Sequence, residues 1–168
     1  MSTSRTAAAR RVPLPLVLAA LAVTAAAARA QPDIAPRNDA PNPYVTVRDW
    51  AALPDGREWG STGGVDMDRD GRHVWVAERC GGNSCAGSGL DPVLKLDPAG
   101  ALVASFGAGL MIQPHGLHVD PDGNVWVTDA QGPDGVDPAR EGKGHVVMKF
   151  SPEGELLMTL GTPGVGAA

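Results

Sequence analysis

Two stretches of the chain repeat one alternation of apolar and polar positions. In the first, Gly64-Val65-Asp66-Met67-Asp68-Arg69-Asp70-Gly71 leads to Val74-Trp75-Val76-Ala77. In the second, Gly116-Leu117-His118-Val119-Asp120-Pro121-Asp122-Gly123 leads to Asn124-Val125-Trp126-Val127. The offset is 52 residues at the glycine and 51 at the tryptophan. Further on, Val93-Leu94-Lys95-Leu96 returns as Val147-Met148-Lys149-Phe150, and Ser105-Phe106-Gly107 as Thr159-Leu160-Gly161, both 54 residues later. Period-two alternation of β-branched and aromatic residues is the signature of a half-buried strand. The Asp- and Gly-rich links between the runs suit tight turns, because Gly and Asn tolerate positive φ. The pattern predicts strands at 65–68, 74–77, 93–96 and 101–106, and the same four again in the second unit.

Four short strands in about 50 residues, repeated, describe the blade of a β-propeller. The expected fold class is therefore all-β, with units at about 59–107 and 108–161. A propeller ring needs about four or more blades. Two units read as a C-terminally truncated piece of a longer chain, or else as a unit that builds a ring from copies of itself. Two blades leave a strand edge at each open end, which predicts poor stability or aggregation.

What precedes the repeat changes the picture of where the protein works. Residues 1–30 carry Arg5, Arg10, Arg11 and Arg29 but no acid, and 16–28 are an apolar run ending in Ala28-Arg29-Ala30. A basic start, a short apolar run and small residues at its end predict a secretory signal peptide cleaved near Ala30. The run is shorter than the roughly 20 residues of a membrane span. Residues 31–43 hold four prolines and read as an extended linker, and 44–168 as the partial propeller. The protein is expected in the periplasm or outside the cell.

The formal net charge is −5. Loss of residues 1–30 removes four arginines and no acid, which takes it to −9. An acidic chain without a basic stripe argues against a nucleic-acid partner. All 22 glycines follow residue 30, a density that disfavours a helical bundle. A small-molecule or peptide partner remains. The oligomeric state is open.

Candidate chemistry lies where the units differ. His115, in Gln113-Pro114-His115-Gly116, stands where the first unit has Gly63. An imidazole facing a propeller channel is a candidate metal ligand, against a plain polar residue bonded to backbone. Arg79 stands where the second unit has Ala130. Its guanidinium suits a substrate carboxylate, against a salt bridge to Glu78 or another nearby acid. Cys80 and Cys85 in an exported chain predict a disulfide, with a metal thiolate pair as the alternative. The Asp-rich turns at 66–71 and 120–124 lack the glutamate and spacing of a calcium loop. Trp75 and Trp126 read as packing residues, and His73, His118 and His145 as surface or packing histidines.

Residues 113–129, followed by Val147-Met148-Lys149-Phe150-Ser151-Pro152-Glu153-Gly154, resemble an NHL repeat over roughly residues 59–161. Within that class, Pro114-His115-Gly116-Leu117 and Arg79 after Val76 resemble the peptidyl-α-hydroxyglycine α-amidating lyases, six-bladed NHL propellers. The resemblance implies a carbon–nitrogen lyase that yields a peptide amide and glyoxylate, with a channel zinc held by three histidines and a structural calcium. It further implies His115 as a zinc ligand, Arg79 as the catalytic arginine, and the backbone carbonyls of Val65 and Leu117 as calcium ligands. Glu78 departs from the family, which shows a histidine there. The two other zinc histidines and the catalytic tyrosine have no match, and Tyr44, ahead of the first unit, corresponds to nothing. The fragment alone is expected to be inactive. The competing reading is a non-catalytic exported propeller that serves as a binding or scaffold module. A third is a propeller enzyme that uses calcium alone.

Overall fold

The computed structural model describes residues 39–166. The expected signal peptide, and the linker before residue 39, lie outside the described residues. The chain divides into a unit ending at Val45 and a unit from Thr46 onward. The described part of the first is irregular and exposed, Tyr44 included.

The second unit is all-β. Its strands are β1 (Thr62–Met67), β2 (Val74–Glu78), β3 (Val93–Leu96), β4 (Leu102–Phe106), β5 (Pro114–Val119), β6 (Val125–Asp129), β7 (Val146–Phe150) and β8 (Leu156–Leu160). Two single 3-10 turns, Pro54–Gly56 and Pro138–Arg140, complete the regular elements. The strands form two four-stranded antiparallel sheets, β1-β2-β3-β4 and β5-β6-β7-β8. Both have the order and hairpin connections of propeller blades, as the repeat predicts. β1 starts three residues before the expected position, because Thr62 and Gly64 already pair with Glu78 and Ala77.

The same local chemistry builds both sheets. Asp68 accepts from the indole N–H of Trp75 at 2.8 Å, and Asp120 from that of Trp126 at 3.0 Å. Lys95 reaches Asp68 at 2.7 Å and lies over the Trp75 ring; Lys149 reaches Asp120 at 3.1 Å and lies over Trp126. A cation over an indole face adds roughly 0.5–1 kcal/mol where exposed. The turn glycines Gly71 (φ 65°) and Gly123 (φ 90°) sit in left-handed backbone, which costs a side chain energy. The Asp-rich turns are thus hairpin devices, as expected.

The main core lies between the two sheets. Trp75, Ala77, Val93 and Phe106 of the first meet Val125, Val127, Met148 and Phe150 of the second, with Met111 filling in from the connection. Phe106 stacks against Phe150 with ring centroids 5.0 Å apart. A second cluster covers the opposite face of the first sheet, where Leu53 packs on Val76, Leu94 and Leu96 with Ala51 and Trp59 beside it. Trp59 and Trp50 donate to the carbonyls of Ala51 and Pro98, which fastens this lead-in segment down.

Candidate functional site

The first strand of each sheet is bulged at the position where the units differ. In β1 the pairing register shifts between Thr62 and Gly64, around Gly63. In β5 it shifts between Pro114 and Leu117, around His115 and Gly116. Gly116 donates its N–H to the Thr128 hydroxyl at 2.7 Å instead of to a ladder carbonyl. A bulge re-aims the side chain it carries, and His115 is exposed between buried Pro114 and half-buried Gly116. β1 and β5 lie against each other here. A Cβ on Gly63 would stand 2.8 Å from the His115 Cα, so only glycine fits opposite the histidine.

Arg79 follows β2 and reaches across to the second sheet. Its Nε donates to the carbonyl of Pro114 at 3.2 Å, one residue before His115, and its Nη1 donates to Asn83. The structure therefore brings Arg79 and His115 to one place. The expected alternative of a salt bridge between Arg79 and Glu78 is corrected: Glu78 is ion-paired with Arg57 instead. The two side chains leave successive positions of an extended segment and so point to opposite sides. Arg79 has no carboxylate partner among the described residues.

Cys80 and Cys85 are joined in a disulfide, which removes the thiolate alternative. The loop they close is stitched to the approach to β5: Cys85 N–H donates to the Ile112 carbonyl at 2.7 Å and Ser84 Oγ to the same oxygen at 3.3 Å. A disulfide fits an oxidising compartment. No helix among the described residues is long and apolar enough to cross a membrane.

Val65 and Leu117 occupy equivalent positions, paired with Val76 and Val127. Two carbonyls fall short of the six or more oxygens that calcium takes. Zinc needs at least three protein ligands, and the described residues gather no group of three His, Cys, Asp or Glu able to hold a metal. His73 and His118 pair with Asp70 and Asp66, and His145 is exposed. The donor set on this segment does not by itself fit either ion.

Two buried carboxylates stand beside the site, at equivalent ends of β2 and β6. Glu78 accepts from Arg57, from Gly60 N–H at 2.8 Å and from Gly81 N–H at 3.0 Å. Asp129, its counterpart, accepts from Ile112 N–H at 2.8 Å and Gln113 N–H at 2.6 Å. Burial pushes the Asp129 carboxyl up despite those two amides. A buried acid at the end of an apolar strand was the available clue.

No protein-family model matches the chain. Peptidyl-alpha-hydroxyglycine alpha-amidating lyase 1 of Drosophila melanogaster is 37% identical over 81 residues, which cover 44% of this chain and 13% of the fly protein. Peptidylglycine alpha-amidating monooxygenase of Rattus norvegicus is 50% identical over 40 residues, 23% of this chain and 4% of that protein. The corresponding protein of Mus musculus matches to the same extent. The matching segment is thus a small part of each of these relatives.

Proposed function

We propose that this segment is the part of an exported carbon–nitrogen lyase of the amidating type that grips the substrate's carboxylate and supplies one metal ligand. The reading takes the two sheets as NHL-type blades of a larger, six-bladed propeller. The observation that carries it is the placing of Arg79, held by the Pro114 carbonyl beside the bulged His115 and lacking an acid partner among the described residues. The naming of the fly relative as an amidating lyase supports it.

A peptidyl-α-hydroxyglycine ends in an N–CH(OH)–COO⁻ group. Its breakdown moves the hydroxyl proton away, closes a C=O bond at that carbon and breaks the C–N bond. The nitrogen takes up a proton, which leaves an amide and glyoxylate. Arg79 would hold the carboxylate through two parallel N–H···O bonds, which orients the hydroxyl-bearing carbon. His115 would be one donor of a zinc set completed by residues outside the described segment. The donors on this segment do not by themselves suffice for the ion. The carbonyls of Val65 and Leu117 stand in the same relation to calcium.

The test measures glyoxylate released from a short peptidyl-α-hydroxyglycine by the complete exported propeller that contains this segment, alongside its bound zinc. His115→Ala is expected to lose both metal and activity. Arg79→Gln is expected to raise KM about tenfold to a hundredfold, the loss of a charge-assisted pair of roughly 1.5–3 kcal/mol. Retention of both properties in His115→Ala overturns the proposal. A second reading, a non-catalytic binding module, draws on the lack of any three-ligand cluster among the described residues. Tight peptide binding without glyoxylate release would favour it.

A further inference from the structure

We infer that Glu78, neutralised by Arg57, is a positioning residue that holds the turn carrying Arg79; the inference rests on the reading of Arg79 as the carboxylate-holding group. Glu78 is 0% exposed. A lone buried carboxylate is costly unless paired and hydrogen-bonded, and this one has three donors. The Arg57 guanidinium that pairs with it also donates to the Asp91 carbonyl at 2.7 Å. The two backbone donors lie on either side of Arg79: Gly60 leads into β1, and Gly81 is two residues beyond the arginine.

The turn needs such a hold. Cys80 has φ 53°, in the left-handed region that a side chain enters at a cost. Around it, Arg79 N–H donates to Ser61 at 3.1 Å, Ser61 N–H to Gly82 at 2.7 Å and Gly82 N–H to Arg79 at 3.0 Å. Glu78 reaches its amides through space that a larger residue would fill. A Cβ on Gly60 would stand 2.6 Å from the carboxylate and 2.8 Å from the Gly81 nitrogen.

The second sheet supplies an internal control. Asp129 occupies the same position, is one methylene shorter and has no guanidinium bonded to it among the described residues. It grips only the segment that leads into β5, at Ile112 and Gln113, and not the turn after β6. The residue after it is Ala130 rather than an arginine. The longer acid and its cation occur in the sheet whose following turn presents a charged side chain. Only there does the carboxylate grip that turn.

The test compares the mature chain with its Glu78→Asp variant, which copies the second sheet. Hydrogen exchange at the Arg79 Nε–H is read by nuclear magnetic resonance, beside the backbone amides of β3 and β7. Glu78→Asp is expected to speed Arg79 Nε–H exchange about tenfold or more while the strand amides keep their protection. A change below about twofold in a folded variant overturns the inference. If Glu78→Asp does not fold, the wild-type Gly81 amide decides. Slow exchange there is expected, and exchange at the rate of an unstructured peptide overturns the inference. The exchange data do not depend on turnover. A complete propeller carrying this segment that releases no glyoxylate would sink the lyase reading, and the exchange rates would then speak only for the hold of Glu78 on the turn.

Discussion

The two sheets share their strand order, their turns and their Asp–Trp–Lys arrangement, yet they are buried differently. Trp75 is 0% exposed under the second sheet, whereas Trp126, its repeat partner, is half-buried. Phe106 and Met111 are in the core, while their counterparts Leu160 and Val165 are 48% and 60% exposed. The first sheet is covered on one face by the second sheet and on the other by the lead-in around Leu53. Among the described residues the second sheet is covered on one face only. Burial here is a property of the neighbour, not of the strand.

The comparison can be broken by substitution. The largest effect is expected at the shared core: Phe150→Ala and Trp75→Ala should each cost about 3–5 kcal/mol in urea unfolding. Trp126→Ala should cost roughly 1–2 kcal/mol, the loss of one indole bond and partial burial. An equal cost for the two tryptophans would mean that the second sheet's open face is covered in solution. Leu53→Ala should cost about 2–3 kcal/mol by uncovering the first sheet's far face. Reduction of the Cys80–Cys85 bond should lower stability by roughly 2 kcal/mol, the loop-closure value for so short a ring. The smallest expected loss is at the rim. Asp66 accepts from Val119 N–H at 2.9 Å and from His118 at 3.0 Å, and Asp66→Asn should cost about 0.5–1 kcal/mol.

Acid should act on both sheets. Backbone amides, His73 N–H foremost, lower Asp70 to about 2, and Asp137 N–H foremost lowers Asp134 to about 2. A carboxylate whose folded value lies below its ordinary one contributes stability above the ordinary value. That contribution is lost as pH falls through the folded value. Thermal stability should therefore drop between about pH 4 and pH 2. Asp129 works the other way, because its raised value makes acidification relieve a buried charge. Asp70→Asn and Asp134→Asn should flatten the acid limb, and a limb unchanged by both would refute the assignment.

The eight strands were legible because alternation and turn residues recur at a nearly constant offset. The contrasts of Gly63 with His115 and of Arg79 with Ala130 were legible as breaks in that recurrence. Other features had no such signature. Arg57 lies 21 residues from Glu78 in a segment without periodicity, so nothing along the chain marked them as partners. At the His115 bulge the Gly116 N–H turns to the Thr128 hydroxyl, an acceptor that alternation does not register. Which face of each sheet is covered depends on tertiary neighbours. The lead-in residues Trp50, Leu53 and Trp59 mark an ordered start to the propeller but follow no alternation that says which face they cover.

The close approach of Gly63 to the His115 backbone also limits how such a repeat can diversify. With no room for a Cβ at the first bulge, a histidine copied there along with the rest of the unit would push the two strands apart. Adjacent units of this build can present one imidazole between them, not two. Duplication alone therefore would not multiply the ligands, and each further donor would have to arise where the neighbouring unit keeps its glycine.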